Sequence, residues 1–479
     1  MKKKDGFILG VILFVALLLR LYHINAPLAD FHSWRQADTA AVARNFERTG
    51  FNLFKPTYDD YSNVQSGMDN PNGYRFVEFP IYNAMFAGLH TVMPFLSLEI
   101  WGRIVSILFS LICIAVLYYL ALVEVGRITA IFTAITFAVM PFFVYFSRTI
   151  LPDNAALSFA FVSIFLLHLF TTEKKQNKQV AWFLLSSFSF AIALLIKPMV
   201  AFYGIPLLFL FVRKYKFTTP KQLQIILYFL IAGAPFLLWR YYITRFPEGI
   251  PASNWLFTQV NTSEGEKDIF MRPAFFRWVF FERINNLILG GYLTAFFVLG
   301  FIKKQKTWLP FIITAASFLY IFVFQGGNVQ HEYYQIVAFP GIALAVGLGV
   351  AAILEGSSVF LHRYIVMPII VVVFAASFLF SWFQVQGYYN VPADLLLMAK
   401  IIQTFSKPTD LVVADRMGDT TLLYLSDRKG SPILNKEPEE FKKMGYSYIL
   451  TDKSEVIAKL KKAQYRVLFE NNQFALFAL

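Results

Sequence analysis

The sequence predicts an all-α polytopic membrane protein with a small α/β domain at its C-terminal end. Hydrophobic residues make up 57% of the 479 residues and charged residues 15%, whereas a soluble protein carries about 25% charged residues. Apolar runs near the length of a membrane span recur along residues 1–385. Residues 386–479 instead alternate short apolar strands with charged helical stretches, a pattern typical of an α/β domain. The predicted strands are residues 410–414, 446–450 and 465–469.

About eleven apolar runs approach the roughly 20 residues that a helix needs to cross a bilayer. The 54 Phe and 24 Tyr side chains are typical of a lipid-facing surface with aromatic belts. The first run lacks a small-residue cleavage site after it, so we expect a retained helix rather than a signal peptide. The predicted spans are residues 6–24, 100–122, 128–146, 155–170, 180–196, 199–212, 223–243, 284–302, 308–324, 336–354 and 364–385.

The basic loops predict the orientation of the chain. Under the positive-inside rule, Lys and Arg in short loops mark the cytoplasmic side. The N-terminus is then cytoplasmic, while the loop 25–99 and the C-terminal domain are extracytoplasmic; in a bacterium this is the cytoplasmic (inner) membrane. These loops also account for the net charge of +13, so nucleic acid is not an expected partner. The basic positions are residues 2–4, 127, 174–178, 213–221, 303–306 and 363.

Segment 80–98 is predicted as an amphipathic helix in the outer membrane interface. Its apolar sequence is interrupted by Asn83, His90 and Pro94. If it were a span, every later loop would change sides and the lysine clusters would lie outside, against the positive-inside rule. The alternative is a true but poor span.

The first outer loop carries the most informative polar cluster. Asp30, His32, Trp34, Arg35 and Asp38 lie just outside the first span and lead into an amphipathic helix. A loop that only connects two spans does not need an acid, an imidazole, an indole and a guanidinium together. We therefore interpret this cluster as part of a functional site; the alternative is a solvated loop anchored at the interface.

Further candidates lie at the predicted outer ends of other helices. Arg75 and Glu78 stand at the start of the interfacial helix. Asp153 lies in a tight outer loop, where an ionisable group at membrane depth tends to be functional. The alternative for Asp153 is a helix N-cap.

Basic and polar side chains on the same predicted side could bind a phosphate. Arg148 and Lys197 suit the charge-assisted contacts that phosphate oxygens receive, although Lys197 could instead snorkel to the interface. His331 and Glu332, followed by Tyr333, could line a headgroup site. The alternative for that loop is an ordinary turn with aromatic anchors.

The absence of several common sequence motifs argues against some classes of function. No Walker loop, GxGxxG, HExxH or GxSxG pattern occurs in a suitable context, which argues against an ATP-driven pump and the common hydrolases. An enzyme whose energy comes from an activated lipid donor fits better. The main alternative is a lipid or solute transporter or flippase, which would not explain the long polar loop and should show paired broken helices. A second alternative is a scaffold that presents the C-terminal domain.

The order of these features resembles the GT-C glycosyltransferases, which include protein O-mannosyltransferases, lipid A aminoarabinose transferases and oligosaccharyltransferases. The shared order is one span, a long outer loop with an acid and a helix ending in Ala-Arg-Asn, a Glu-x-Pro element, and a short outer loop with an acid. Residues 30–36 and 78–80 look like the bacterial branch related to dolichyl-phosphate-mannose mannosyltransferases. The resemblance covers residues 1–385.

The resemblance implies extracytoplasmic juxtamembrane helices and transfer of one hexose or pentose from a polyprenyl-phosphate donor such as undecaprenyl phosphate. The acceptor would be a hydroxyl group on a lipid, a glycan or a protein of the cell envelope. Asp30 is the closest match to the family's catalytic acid. Asp38 is the second choice, because the family's usual Asp-Glu pair would fall on Arg35 and Gln36.

The remaining roles also follow from the resemblance. Glu78 matches the acid of a Glu-Lys-Pro-Pro or related element, and Asp153 matches the acid of the second outer loop, so both join Asp30 and Asp38 in the expected catalytic set. No cofactor is certain; a divalent ion, Mg²⁺ or Mn²⁺, could be held by Asp153 and Glu78. The expected ligands of the donor phosphate are Arg35, Arg148, Lys197 and His331. The expected lining of the substrate pocket is His32, Trp34, Arg75 and Tyr333.

Overall fold

The computed structural model describes residues 2–216, 222–253, 255–258, 269–302, 307–360 and 363–479. The α-helices in these ranges are α1 (Lys3–Arg20), α2 (Ser33–Thr49), α3 (Ile81–Val92), α4 (Leu98–Glu124), α5 (Arg127–Val139), α6 (Pro141–Arg148), α7 (Asp153–Thr172), α8 (Gln176–Ile196), α9 (Gly204–Tyr215), α10 (Gln222–Ile243), α11 (Trp255–Thr258), α12 (Pro273–Phe275), α13 (Thr294–Ile302), α14 (Leu309–Val323), α15 (Gln325–Gln330), α16 (Phe339–Phe360), α17 (Arg363–Val385), α18 (Ala393–Phe405), α19 (Thr421–Ser426), α20 (Pro438–Lys443) and α21 (Ser454–Lys462). The strands are β1 (Leu411–Asp415), β2 (Gly430–Ser431), β3 (Tyr446–Thr451), β4 (Arg466–Glu470) and β5 (Ala475–Ala478). Short 3₁₀ segments cover Pro198–Tyr203, Pro247–Gly249, Ile269–Met271, Glu332–Ala338 and Gln386–Tyr389, and a π-helical segment covers Phe276–Ile288.

The chain is a multi-pass membrane protein. Within the described ranges, seven helices are long and apolar enough to cross a membrane, or eight if the bent pair α5 and α6 is one span. The predicted total of about eleven spans stays a prediction. Helix α1 falls outside this set because its 18 residues include four charged ones, Lys3, Lys4, Asp5 and Arg20.

Proline and glycine interrupt two of the predicted spans. The predicted span 128–146 is two helices, α5 and α6, with a bend of 63° between them. Pro141 begins α6 and Met140 is extended, with φ −63° and ψ 126°, as the residue before a proline prefers. The predicted span 284–302 is broken where Gly290 and Gly291 adopt φ values of 57° and 76°, so a helical segment ends before α13 begins.

Helix α3 supports the prediction of an amphipathic helix over that of a span. Its 12 residues rise by about 18 Å, which is shorter than the roughly 30 Å hydrocarbon core. The helix buries Tyr82, Phe86 and Ala87, whereas Val92 at its end is 79% exposed. One apolar face of α3 therefore packs within the protein, while the C-terminal end of the helix is exposed.

The chain divides into two compact units. The first unit holds Met1–Ile24, Ile104–Trp239 and Ser253–Gly387, and the second unit holds Asn25–Arg103, Arg240–Ala252 and Tyr388–Leu479. The second unit therefore combines the first predicted outer loop with the C-terminal domain. The predicted domain boundary at residue 385 stays a prediction.

The C-terminal domain forms the predicted α/β structure. Its strand order is β2-β1-β3-β5-β4, in which β2, β1 and β3 are parallel and β5 is antiparallel to both of its neighbours. Val412 and Ala414 pack into one core and Val413 into the other, because side chains alternate along a strand. The predicted strands 410–414, 446–450 and 465–469 match β1, β3 and β4 to within one residue at each end, whereas β2 and β5 were not predicted.

Glycines let two helices of the first unit approach each other backbone to backbone. A Cβ atom at Gly349 in α16 would lie 1.8 Å from the carbonyl oxygen of Phe296 in α13. A Cβ atom at Gly300 in α13 would lie 2.0 Å from the carbonyl oxygen of Ala345 in α16. Small residues serve this purpose widely in membrane helix pairs.

We expect Gly349→Ala to lower the thermal unfolding temperature of the purified protein in detergent. The added methyl group must push α13 and α16 apart, and overpacking of this kind costs about 1–3 kcal/mol. Gly356→Ala in the same helix is the matched control, because nothing among the described residues lies within 4 Å of a Cβ atom there. Equal unfolding temperatures for the two variants would contradict the close packing.

Candidate functional site

Helix α2 supplies one wall of a polar pocket in the second unit. The helix begins after His32, whose backbone is left-handed with φ 55°. Residues four positions apart lie on the same face of a helix, so Arg35 and Thr39 point the same way, as do Asp38 and Val42. The chain before α3 and the first turn of α3 complete the wall. The lining residues are Arg35, Asp38, Thr39, Val42, Pro56, Arg75, Glu78, Pro80 and Asn83.

Two ion pairs lie in this pocket. The Arg35 guanidinium is paired with the Glu78 carboxylate, and Arg75 Nη2 lies 2.6 Å from Asp38 Oδ2. Both pairs are largely buried, and the Asp38 side chain is completely so. Because a buried charge is tolerated only when it is paired, each acid of the pocket holds one guanidinium group in place.

Asp38 has a partner on each carboxylate oxygen. The Thr420 hydroxyl donates to Oδ1 at 2.7 Å, while Oδ2 faces Arg75. Burial raises the pKa of the Asp38 carboxyl above its usual range, and the charges of Arg75 and Arg35 and the Thr420 hydrogen bond offset part of that rise. A carboxylate with a raised pKa accepts a proton more readily, which is what a general base near neutral pH requires.

Arg75 has donors beyond its ion pair. The guanidinium carbon lies 4.8 Å from the centre of the Tyr58 ring. Its Nε and Nη1 atoms are buried without a well-formed hydrogen bond to any residue that the structure describes. Buried donors of this kind carry a desolvation cost, so Arg75 can accommodate an anionic ligand whose oxygens accept hydrogen bonds.

Asp30 lies outside the lining of this pocket and contacts a neutral group. Its Oδ1 accepts a hydrogen bond of 2.7 Å from the side-chain amide of Gln36, which also donates to the Phe31 carbonyl at 3.2 Å. The Phe31 ring stacks on Tyr388 with ring centres 4.1 Å apart. The two candidate acids of the first loop therefore differ in position: Asp38 lines the pocket beside cations, and Asp30 lies outside its lining.

His32 and Trp34 lie beside the pocket-forming face of α2. The His32 ring centre is 4.1 Å from that of Phe31. Trp34 is half-buried, and its backbone carbonyl is 3.2 Å from the Thr420 hydroxyl. Their assignment to the substrate pocket stays a prediction.

Asp153 and Lys197 form a further buried ion pair, in the first unit. Lys197 Nζ lies 2.7 Å and 2.8 Å from the two carboxylate oxygens, and 5.4 Å from the centres of the Tyr333 and Tyr334 rings. Asp153 is the first residue of α7, which has no side-chain cap, so the alternative of an N-cap is wrong. The snorkelling alternative for Lys197 is wrong too, because its ammonium group is buried against an acid.

The other predicted phosphate ligands also belong to the first unit. Arg148 is fully buried and donates from Nη1 to the His23 carbonyl at 3.0 Å. His331 stacks on Tyr333 with ring centres 5.6 Å apart, and Glu332 lies 3.2 Å from the guanidinium of Arg283. The loop therefore has both the aromatic anchors and an ion pair, and its role in donor binding stays a prediction.

The predicted metal ligands do not fit a metal site as they stand. Glu78 neutralises Arg35, and Asp153 neutralises Lys197, so a cation already occupies each carboxylate. Among the described residues, no group of three or more His, Cys, Asp or Glu side chains is arranged to hold an ion.

Sequence reasoning missed three residues that shape the pocket. The Arg75 guanidinium lies over the Tyr58 ring. The Thr420 hydroxyl donates to Asp38, although the two residues are 382 positions apart in the sequence. Asn83 was interpreted only as an interruption of an apolar run, yet its amide donates to the Thr39 carbonyl at 2.7 Å. Only Asn83 gave a local signal, since a polar residue in an apolar helix usually has a partner.

Comparison with known proteins supports the resemblance seen in the sequence. Residues 80–239 match the family model described as dolichyl-phosphate-mannose-protein mannosyltransferase. No curated protein matches the sequence significantly. Among solved structures, ArnT from Cupriavidus metallidurans in the apo state aligns with a TM-score of 0.68 at 14% identity, over 100% of this chain and 98% of that one.

Two further structures share the fold. ArnT from Cupriavidus metallidurans bound to undecaprenyl phosphate gives a TM-score of 0.65 at 14% identity, over 99% of this chain and 98% of that one. The oligosaccharyltransferase of Archaeoglobus fulgidus in the apo form gives 0.58 at 12% identity, over 94% of this chain and 70% of that one. The predicted GT-C fold and the resemblance to GT-C glycosyltransferases are confirmed.

We expect Arg75→Met to destabilise the protein by about 3–5 kcal/mol, because it leaves the Asp38 carboxylate buried without its counter-charge. It should also raise the pKa of Asp38 further, since the Arg75 charge lowers that pKa in the native protein. Thermal unfolding in detergent measures the first effect.

The double variant Asp38→Asn with Arg75→Met is the internal control. Because it removes both charges, it should recover a large part of the stability that Arg75→Met loses. Two independent penalties that simply add would show that the two side chains do not interact.

Proposed function

We propose that this protein is a membrane glycosyltransferase that moves a single sugar from a polyprenyl-phosphate donor to an acceptor hydroxyl on the extracytoplasmic face. The observation that carries the proposal is the pocket of the second unit, where one acid with a raised pKa lies beside two guanidinium groups. The match to a mannosyltransferase family model and the fold shared with a protein bound to undecaprenyl phosphate support the class of donor.

In the proposed reaction, Asp38 removes the proton of the acceptor hydroxyl as that oxygen attacks the anomeric carbon of the donor sugar. The bond between the anomeric carbon and the phosphate oxygen breaks, and the polyprenyl phosphate leaves with the bonding electron pair. Asp38 ends protonated and later gives its proton to solvent. General-base assistance of this kind contributes typically about 10²–10⁴-fold.

The leaving phosphate gains negative charge as the bond breaks, and cations that are already in place stabilise that charge most effectively. Arg75 is the first candidate because two of its donor atoms have no well-formed bond to the described residues. Arg35 is the second, held by Glu78 at the same pocket. Arg148, Lys197 and His331 belong to the first unit, and their role as phosphate ligands stays a prediction from the sequence.

We prefer Asp38 to Asp30 as the general base because of where each carboxylate lies. Asp38 lines the pocket with the cations that a phosphate needs, whereas Asp30 lies outside the lining of that pocket. The sequence alone favours Asp30, so both acids belong in the test.

The orientation of the protein completes the proposal. Lysine and arginine clusters before the first predicted span and after the even-numbered ones favour a cytoplasmic N-terminus in a bacterial inner membrane. That places the second unit outside, where a lipid-linked sugar can meet a lipid, glycan or protein acceptor.

We expect Asp38→Asn to lower sugar transfer by about 10²–10⁴-fold, because the amide cannot take the proton. The assay uses purified protein, a panel of synthetic polyprenyl phosphates each carrying one radiolabelled hexose or pentose, and a detergent extract of cell envelope as acceptor source. Release of free polyprenyl phosphate is the readout. Asp30→Asn serves as the matched control and should retain most of the activity.

Three outcomes separate the hypotheses. Activity lost in Asp30→Asn and kept in Asp38→Asn would move the base to Asp30. Wild-type protein that releases no polyprenyl phosphate from any donor, yet moves a fluorescent donor across the bilayer of proteoliposomes, would establish the flippase alternative. Loss in Asp38→Asn with unchanged thermal stabilisation by undecaprenyl phosphate would support a role in chemistry rather than in binding.

A further inference from the structure

The loop that follows β1 of the C-terminal domain reaches the acid of the pocket. Thr420 Oγ1 lies 2.7 Å from Asp38 Oδ1 and 3.2 Å from the Trp34 carbonyl oxygen. A hydroxyl group has one proton to donate, and the shorter, charged contact is the stronger. Thr420 and Asp38 are 3% and 1% exposed, so water does not compete for this hydrogen bond.

The sheet fixes the position of that loop. The backbone amides of Arg416 and Gly418 both donate to the Pro432 carbonyl, at 2.9 Å and 3.0 Å. Gly418 has φ 92°, which favours glycine and allows the chain to turn back at this point. Asp419 Oδ1 accepts the amide of Thr421 at 2.8 Å, so Thr420 is held between a closed turn and the start of α19.

Helix α19 also packs against α2 through contacts on both sides of Asp38, at Ser33 and at Arg44. The Thr421 and Ser33 hydroxyls are 2.9 Å apart. The Arg44 guanidinium lies 4.2 Å from the centre of the Tyr424 ring and donates to the Tyr424 carbonyl at 2.9 Å. The C-terminal domain therefore packs along α2, and the Thr420 hydroxyl contacts the Asp38 carboxylate itself.

We propose that Thr420 is a positioning residue for Asp38, so that the C-terminal domain completes the catalytic pocket. The Thr420 hydroxyl holds Oδ1 while Arg75 holds Oδ2, and two partners on different oxygens fix the rotation of the carboxylate. Asp38 also lines the pocket, which is where the acceptor hydroxyl must approach. The catalytic meaning of this contact rests on the proposed function; the contact itself does not.

The test compares Thr420→Val, Thr420→Ser and Thr421→Val in the full-length protein. Valine keeps the shape of threonine but cannot donate, whereas serine keeps the hydroxyl. Thr421→Val is the matched control, because Thr421 is the next residue, is fully buried, and bonds to Ser33 rather than to Asp38. Infrared titration of the Asp38 carboxyl band, identified by its loss in Asp38→Asn, reports on the contact without any substrate.

Thr420→Val should shift the Asp38 titration to higher pH, because the hydrogen bond it removes stabilises the charged form. Sugar transfer should show a roughly 10- to 100-fold lower kcat with little change in KM, the scale expected when a catalytic group is misplaced. Thr420→Ser should restore both readouts, and Thr421→Val should change neither.

An Asp38 titration that is identical in wild type and Thr420→Val would overturn the proposal. Equal damage from Thr420→Val and Thr421→Val would do the same, because it would mark a general structural effect. If Thr420→Val shifts the titration and Asp38→Asn keeps full turnover, the positioning contact stands while the base assigned under the proposed function fails.

Discussion

The requirement that buried charges be paired governs this structure. The free energy needed to move an isolated ion into a low-dielectric interior is far larger than the stabilisation from any single contact. Each buried acid must therefore face a cation or several hydrogen-bond donors. In the second unit this requirement joins Asp38 to Arg75 and Glu78 to Arg35; in the first unit it joins Asp153 to Lys197. The pocket is polar because it contains the two pairs of the second unit, and its walls are the segments that carry them.

The parts of the fold that depend on local sequence could be predicted. Apolar length and loop charge identify a polytopic membrane protein, and strand-length apolar segments located β1, β3 and β4 to within one residue. The breaks within the predicted spans could not be located from hydropathy. Met140-Pro141 and Gly290-Gly291 lie inside apolar runs, and hydropathy does not register a change in backbone direction. The two-residue β2 is paired only because β1 lies beside it, which no local pattern encodes.

The sequence indicated which residue types line the candidate site, but not which side chains pair with one another. The sequence brought out Asp38, Arg35, Arg75 and Glu78 because they are unusual beside membrane spans. It ranked Asp30 ahead of Asp38 on the resemblance alone, because local sequence does not show which groups fold against each acid. Thr420 gave no signal at all, because a threonine in a polar stretch of an α/β domain is ordinary. Contacts across 382 positions are fixed by tertiary packing and leave no mark on local composition.

The Asp38–Arg75 pair also suggests how a donor could activate its own base. In the free protein the Arg75 charge opposes the rise in the Asp38 pKa that burial causes. On the proposed function, a donor phosphate that accepts hydrogen bonds from Arg75 shares that positive charge and adds a negative one nearby. Both changes raise the pKa of Asp38, because each disfavours its charged form. The carboxylate then becomes a stronger base when the donor is bound. The Thr420 hydroxyl keeps the orientation of the carboxylate fixed while the charges around it change.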